Sequence, residues 1–349
     1  MNKLGKLLID YHIILIIMIV LLFPFLQFRT VQNEIIVTNE SELMKAVNHP
    51  EANIIINDTI YLESYVAINN EVTIGGTGVI TVANPHRHFV VRENGILTLV
   101  GDLTLTQQEG YTGYGGGITV NAGVLVMHGG HITGNNWLIA PEDLGQRFID
   151  DHINRYRIGS GGGVRVANGG LFRVYDGLIS HNEANYGGGV NLIDFGSRFV
   201  MRGGYIQYNY AELGGGLHHS GYFSPSPPPM IALRIYGGTI NENTARFVGG
   251  GVYFIGSSGA NLHGGQIRDN QAAAHGGVYS RFINTGTGVR ITNNYPANFN
   301  EHNMLFYWII TPTVTRLVPV FIIAIIGSVY SERKCKKKSI FEDWLRSHD

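Results

Sequence analysis

This chain has little charge and almost no sulfur. Of its 349 residues only 15% are charged, the formal net charge is -1, and Cys335 is the single cysteine. One cysteine excludes an internal disulfide framework, so packing and hydrogen bonds must hold the fold. The near-neutral balance gives no electrostatic basis for a nucleic-acid partner. Glycine is plentiful, at 47, but follows no G-X-Y period, which excludes collagen. No A-x-A cleavage site follows the first apolar run, and no LPxTG precedes the last one.

Two apolar runs lie near the ends: Leu7 to Phe28, behind Lys3 and Lys6, and Met304 to Tyr330, ahead of the basic stretch Ser331 to Lys338. A membrane-spanning helix needs ~20 apolar residues, and basic flanks favour the cytoplasmic side. The expectation is therefore a membrane protein with two spanning helices, both termini cytoplasmic and residues 31–303 outside. The organisation that follows is an anchor or uncleaved signal over 1–30, a repeat domain over 31–303, a spanning helix over 304–330 and a basic tail over 331–349.

The repeat domain has a beat. Glycine clusters end at Gly117, Gly163, Gly189, Gly216, Gly251 and Gly277, a spacing of 26 or 27 residues broken by two insertions. The insertions are 137–158 and the proline-rich 222–231. In phase with the glycines, an isoleucine (Ile132, Ile179, Ile206, Ile240, Ile267, Ile291) precedes an asparagine by three positions: Asn135, Asn182, Asn209, Asn243, Asn270 and Asn294. A regular period of this length is the mark of a stacked solenoid. Between glycines the apolar residues alternate with period two, as in "VRV", "VNL" and "RFVM", which argues short strands.

Three strands and their turns fit one coil of a parallel β-helix, with successive coils ~4.8 Å apart. Inward positions are Val164, Val166, Val190, Leu192, Leu217, Val252 and Phe254 on one face, and Phe172, Val174, Phe199, Met201, Leu233 and Ile235 on another. His219 falls among the first set, and His218 on the outward side. Stacked asparagines at a corner are expected to form a side-chain ladder. Residues 53–108 read as earlier coils without the asparagine. Thr38 to Pro50 reads as a short capping helix with Ser41 as its N-cap. The fold class expected is all-β: a right-handed parallel β-helix solenoid with a short N-terminal capping helix, flanked by hydrophobic transmembrane helices.

This order of features resembles the right-handed parallel β-helix proteins of the pectin-lyase-like class. The pairing of IxxN with GGG is similar to the repeats of bacterial surface adhesins of the polymorphic outer-membrane type. The resemblance covers roughly residues 38 to 300 and implies a fold that carries lyases, hydrolases and adhesins alike. The "GHG" and paired-aspartate signals of polygalacturonase-like hydrolases are absent.

Outward strand positions show no carboxylate cluster. The acidic candidates for catalysis are Asp150, Asp151 and His152 in the first insertion, and Asp194. A more suggestive stripe runs down one face: Arg173, Tyr175, Arg202, Arg234 and Tyr236. Aromatic rings stack on sugars, and guanidinium forks suit carboxylates. The function expected is adhesion or binding of a polysaccharide or a surface protein; the alternative is a polysaccharide lyase or glycoside hydrolase on the same fold. No cofactor or metal is expected.

Overall fold

A computed structural model describes residues 34–139, 159–194, 196–219, 231–255, 259–280 and 283–299. The chain divides into two compact units, Met1–Asn300 and Glu301–Asp349, and every described residue belongs to the first. That unit is all-β and solenoid-like: parallel strands stacked in three sheets of fifteen, eight and five strands, here sheets A, B and C.

One coil shows the plan. Leu171–Ser180 lies in sheet A and bends at Asp176 and Gly177. Glu183–Tyr186 follows in sheet C, and Val190–Leu192 in sheet B. Arg198–Met201 then begins the next coil beside Leu171–Val174. Along the first half of sheet A register carries from coil to coil, as Phe172 pairs Phe199, which pairs Leu233, while it shifts at the bend. Ile132, Ile179, Ile206, Ile240 and Ile267 form one buried column along the second half of sheet A. The inward residues named from the sequence are all buried, and Phe172 and Phe199 lie 5.2 Å apart between ring centroids. Sheet C contributes a column of Ala184, Ala211, Ala245 and Ala272. These small side chains bring the wall in close beside the asparagine column.

The triple glycine serves three needs, seen at Gly187 to Gly189. Gly187 turns the chain with φ +65°. A Cβ on Gly188 would sit 2.4 Å from the Tyr210 carbonyl oxygen, and one on Gly189 would sit 2.7 Å from that of Gly216. The first glycine is conformational; the other two are steric, because neighbouring coils approach there by their backbones.

The asparagine corner is built otherwise. The residue before each ladder asparagine is left-handed, and five of the six are not glycine: His181, Tyr208, Glu242, Asp269 and Asn293, with φ between 52° and 57°. Each such residue costs ~1–2 kcal/mol relative to right-handed backbone, so the corner is held against local preference. The ladder supplies the offset. Asn182 donates from both its backbone N–H and its Nδ2 to Asn209 Oδ1, each at 3.0 Å. Asn209, Asn243 and Asn270 repeat the pattern onto the next asparagine at 2.8–3.0 Å. The second Nδ2 proton goes to an isoleucine carbonyl of the preceding coil, as from Asn209 to Ile179 at 3.0 Å. The ladder begins at Asn135, which bonds Asn182 Oδ1 at 2.8 Å. It ends within one turn of chain, where Asn294 donates to Asn298 Oδ1 at 2.9 Å.

Two expectations are corrected. The capping helix is Glu40–Ala46, and its N-cap is Asn39, which accepts from Glu42 N at 3.0 Å; Ser41 lies inside the first turn. The apolar side of Leu43, Ala46 and Val47 is buried on the solenoid. The flanking transmembrane helices are overturned as well. The described residues hold one helix, of 7 residues, and no helix long and apolar enough to cross a membrane. The runs Leu7 to Phe28 and Met304 to Tyr330 lie outside the described residues. Membrane localisation with cytoplasmic termini rested on those helices and is withdrawn with them.

Candidate functional site

The bend in sheet A makes a concave surface that the sequence does not announce. At the bend sit glycine pairs, Gly129–Gly130, Gly203–Gly204, Gly237–Gly238 and Gly264–Gly265. At all of them but Gly130 a Cβ would be blocked by the coil beneath; on Gly203 it would lie 2.1 Å from the Tyr175 carbonyl oxygen. The bend is therefore floored by bare backbone and walled by side chains from the two halves of the sheet. At its N-terminal end it opens into a cavity of ≈ 520 Å³, whose lining includes Asp102, His128, His131, Asp176, Tyr205 and Gln207.

One wall is a continuous column: His128, Tyr175, Arg202, Tyr236 and His263. His128 and Tyr175 stack with centroids 4.6 Å apart and planes 12° apart. The Arg202 guanidinium lies over the Tyr236 ring at 4.6 Å, and Tyr236 stacks on His263 at 4.9 Å. Parallel in-register strands place like positions ~4.8 Å apart, which is also a comfortable ring separation. The stacking has a consequence for recognition. Both faces of Tyr236 are occupied, by Arg202 and by His263, so the ring is not open to a sugar face. The column presents rims instead: phenol hydroxyls, guanidinium N–H groups and imidazole nitrogens.

The facing wall carries His131, Leu178, Tyr205, Thr239 and Gln266 in register. Tyr205 is 51% exposed and supplies an aromatic surface on this side. Outside the first wall, a second column reads Val126, Arg173, Val200, Arg234 and Asn261. The five stripe residues named from the sequence thus lie on one face, divided between two adjacent columns. Arg173, Arg202 and Arg234 make no ion pair among the described residues.

The acidic candidates fall elsewhere. Asp150, Asp151 and His152 lie outside the described residues. Asp194 sits in the turn after Val190–Leu192, and its Oδ2 accepts from Asn168 N at 3.2 Å, tying neighbouring turns together. Asp176, in a slot that is glycine in neighbouring coils, accepts from Gly177 N at 2.8 Å. Among the described residues no group of three His, Cys, Asp or Glu side chains is arranged to hold a metal ion.

Beyond the asparagine ladder, three histidines and one arginine are buried among the described residues. His219 takes the inward position between Leu192 and Phe254, is fully buried, and its Nδ1 lies 3.0 Å from the Leu192 carbonyl oxygen. His218, read as outward from alternation, is also fully buried; its Nδ1 is 2.8 Å from Asn191 Oδ1 and its ring lies parallel to Tyr253 at 5.1 Å. His88 is buried beside the Thr106 carbonyl oxygen, 2.9 Å away. Burial penalises the imidazolium and lowers these groups to about 3 for His218 and about 4 for His219 and His88.

Arg87 carries no signal in the repeat. Its guanidinium donates to the carbonyl oxygens of Gly116, Ser160, Gly161 and Gly162 and lies 4.2 Å from the centre of the Trp137 ring. Burial, and Arg165 nearby, hold it well below the usual arginine range. It ties the first glycine cluster to the second across the interval that contains the long insertion.

Fold and site together define an all-β, solenoid-like stack of parallel strands with a polar, glycine-floored groove on sheet A. No family model matches the chain, and no curated protein or solved structure does.

Proposed function

We propose that this protein is a binding or adhesion module that holds an extended glycan, or an extended segment of a partner protein, along the groove of sheet A. The observation that carries this reading is the groove itself: a backbone floor with a column of exposed polar and aromatic side chains on one side and a mainly polar, part-exposed column on the other, repeated coil after coil. Repetition at one fixed spacing suits a ligand that is itself repetitive. The likeness of the IxxN and GGG repeats to those of pectin-lyase-like β-helix adhesins supports the same reading. The outward rims favour hydrogen bonding to hydroxyls or anions over ring stacking, except at Tyr205.

A glycan array probed with the full chain tests this. Binding is expected, and Arg202→Ala should weaken the strongest hit about tenfold, the loss of one charge-assisted contact of ~1.4 kcal/mol, while leaving the melting temperature unchanged. Equal binding by wild type and variant would remove the groove from the account.

Asp102 and Asp176 line the same cavity and motivate the second reading, a polysaccharide lyase or glycoside hydrolase. New absorbance from unsaturated products, or new reducing ends, with a panel of uronate polymers would establish turnover. Turnover abolished by Asp176→Asn would replace the binding reading with the enzymatic one.

A further inference from the structure

Three of the guanidiniums on sheet A, all in the first wall and the column beside it, are not scattered. Arg173, Arg202 and Arg234 come from three successive coils, one from each. Arg173 and Arg234 occupy the same column, with Val200 between them. Arg202 stands two residues further along its strand, in the stacked column beside the groove. Two residues of extended chain span ~6.7 Å, and coils repeat every ~4.8 Å. Within these two columns the cations therefore form a zigzag: one charge per coil, on alternating sides of a line parallel to the solenoid axis, while the half-buried Arg198 of the middle coil stands one column further from the groove. Val200 keeps the gap on one side uncharged, and the rings of Tyr175 and Tyr236 flank Arg202 on the other. Asp102 and Asp176 mark the N-terminal end of the groove, and no carboxylate stands in either column beyond them.

Building on the groove reading above, we propose that the ligand is an unbranched polyanion that lies along this zigzag with one anionic group per coil, on alternate sides. Guanidinium forks bind carboxylate and phosphate oxygens directly, so no bridging cation is required. The spacing disfavours an acidic peptide in extended form, whose side chains alternate every ~3.4 Å. It suits a linear polymer with a longer monomer, either a carboxylate-bearing sugar chain or a phosphodiester-linked polyol chain. The run of three arginines sets the length: affinity grows with each monomer up to three charges and then levels off. The acidic end of the groove repels further charge and fixes which way the ligand can extend.

The test uses the full chain and three probes of matched length: oligogalacturonate, oligo(glycerol phosphate) and a neutral oligoglucan. Affinities are measured across a salt series. At least one anionic probe is expected to bind tenfold or more tightly than the neutral one. The slope of log K against log salt should correspond to about three phosphate- or carboxylate-type contacts. Arg173→Ala, Arg202→Ala and Arg234→Ala should each lower that slope by about one. The tighter of the two anionic probes identifies the chemistry of the natural ligand. Equal binding of the neutral oligoglucan, with no salt dependence, overturns the polyanion but leaves the glycan groove standing. If no probe binds while a protein partner protects the same face, the glycan reading and this inference fall together. Because the three side chains make no ion pair and Arg173 and Arg202 are exposed, an unchanged melting temperature will show that the variants fold.

Discussion

Replacing Asn209 by alanine is expected to destabilise the protein by ~3–6 kcal/mol. Asn209 is 1% exposed and lies mid-ladder. Its Oδ1 receives two bonds from Asn182, and its Nδ2 donates to Asn243 Oδ1 and to the Ile179 carbonyl oxygen. Removing it leaves the Asn182 N–H and one Asn182 Nδ2 proton without an acceptor and takes a donor from the Ile179 carbonyl oxygen, at ~1–3 kcal/mol for each unmet bond, and empties a small volume at the corner. Asn209→Asp separates these effects. It keeps the size of the side chain but removes the donors and buries a charge, so it should cost at least as much. Urea unfolding reads both. The ladder also offsets the left-handed strain at Tyr208, next in sequence to Asn209, so the corner should fray first; hydrogen exchange at Tyr210 to Leu213 should quicken in either variant. A cost below ~1 kcal/mol for Asn209→Ala would mean that the asparagines merely fill space.

The second large effect is acid instability centred on histidine. His88, His218 and His219 titrate at about 4, 3 and 4 in the folded protein, against 6.5 in the open chain. The unfolded state therefore binds protons that the native state refuses. Stability from these groups is complete above pH 6.5 and is lost as pH falls from there towards 4. Each pKa unit is 1.36 kcal/mol, so three such groups give a slope of about 4 kcal/mol per pH unit through pH 5. The midpoint of urea unfolding should fall steeply between pH 6.5 and 4.5. His219→Leu matches the inward Leu192 of the neighbouring coil and removes one titrating group. It should flatten the slope by about a third and raise stability at pH 5 relative to wild type. A midpoint flat from pH 7 to 5 would contradict this account of the interior.

What could be read from the sequence was whatever repeats. Ile179 with Asn182 and Gly187 to Gly189 recur in phase, so the coil, its inward columns and the ladder asparagines followed from spacing. Features carried by position were not legible in the same way. The left-handed corner at His181, Tyr208 and Glu242 has no residue type in common, because the ladder, and not local preference, holds it. Arg87 appears once, and its partners are backbone carbonyls from coils far along the chain, which no side-chain pattern records. His218 alternates outward yet is buried. The groove is not legible because its floor is glycine, which marks no side chain in the pattern. The stripe of Arg173, Arg202 and Tyr236 was visible, but its ring-on-ring stacking was not, and that changes what it offers a ligand. The apolar ends drew an inference of membrane helices for which the described residues provide none.

Hydroxyl-radical footprinting of the full chain, with and without the strongest glycan from the array, tests the placement of the binding surface most directly. Tyr175, Tyr205 and Tyr236 are 41%, 51% and 41% exposed in the groove, while Tyr65, Phe247 and Tyr295 are 42%, 46% and 68% exposed elsewhere and serve as internal controls. The account predicts protection of the first three and none of the others. Protection of Tyr65 or Phe247 with an unchanged groove would contradict it.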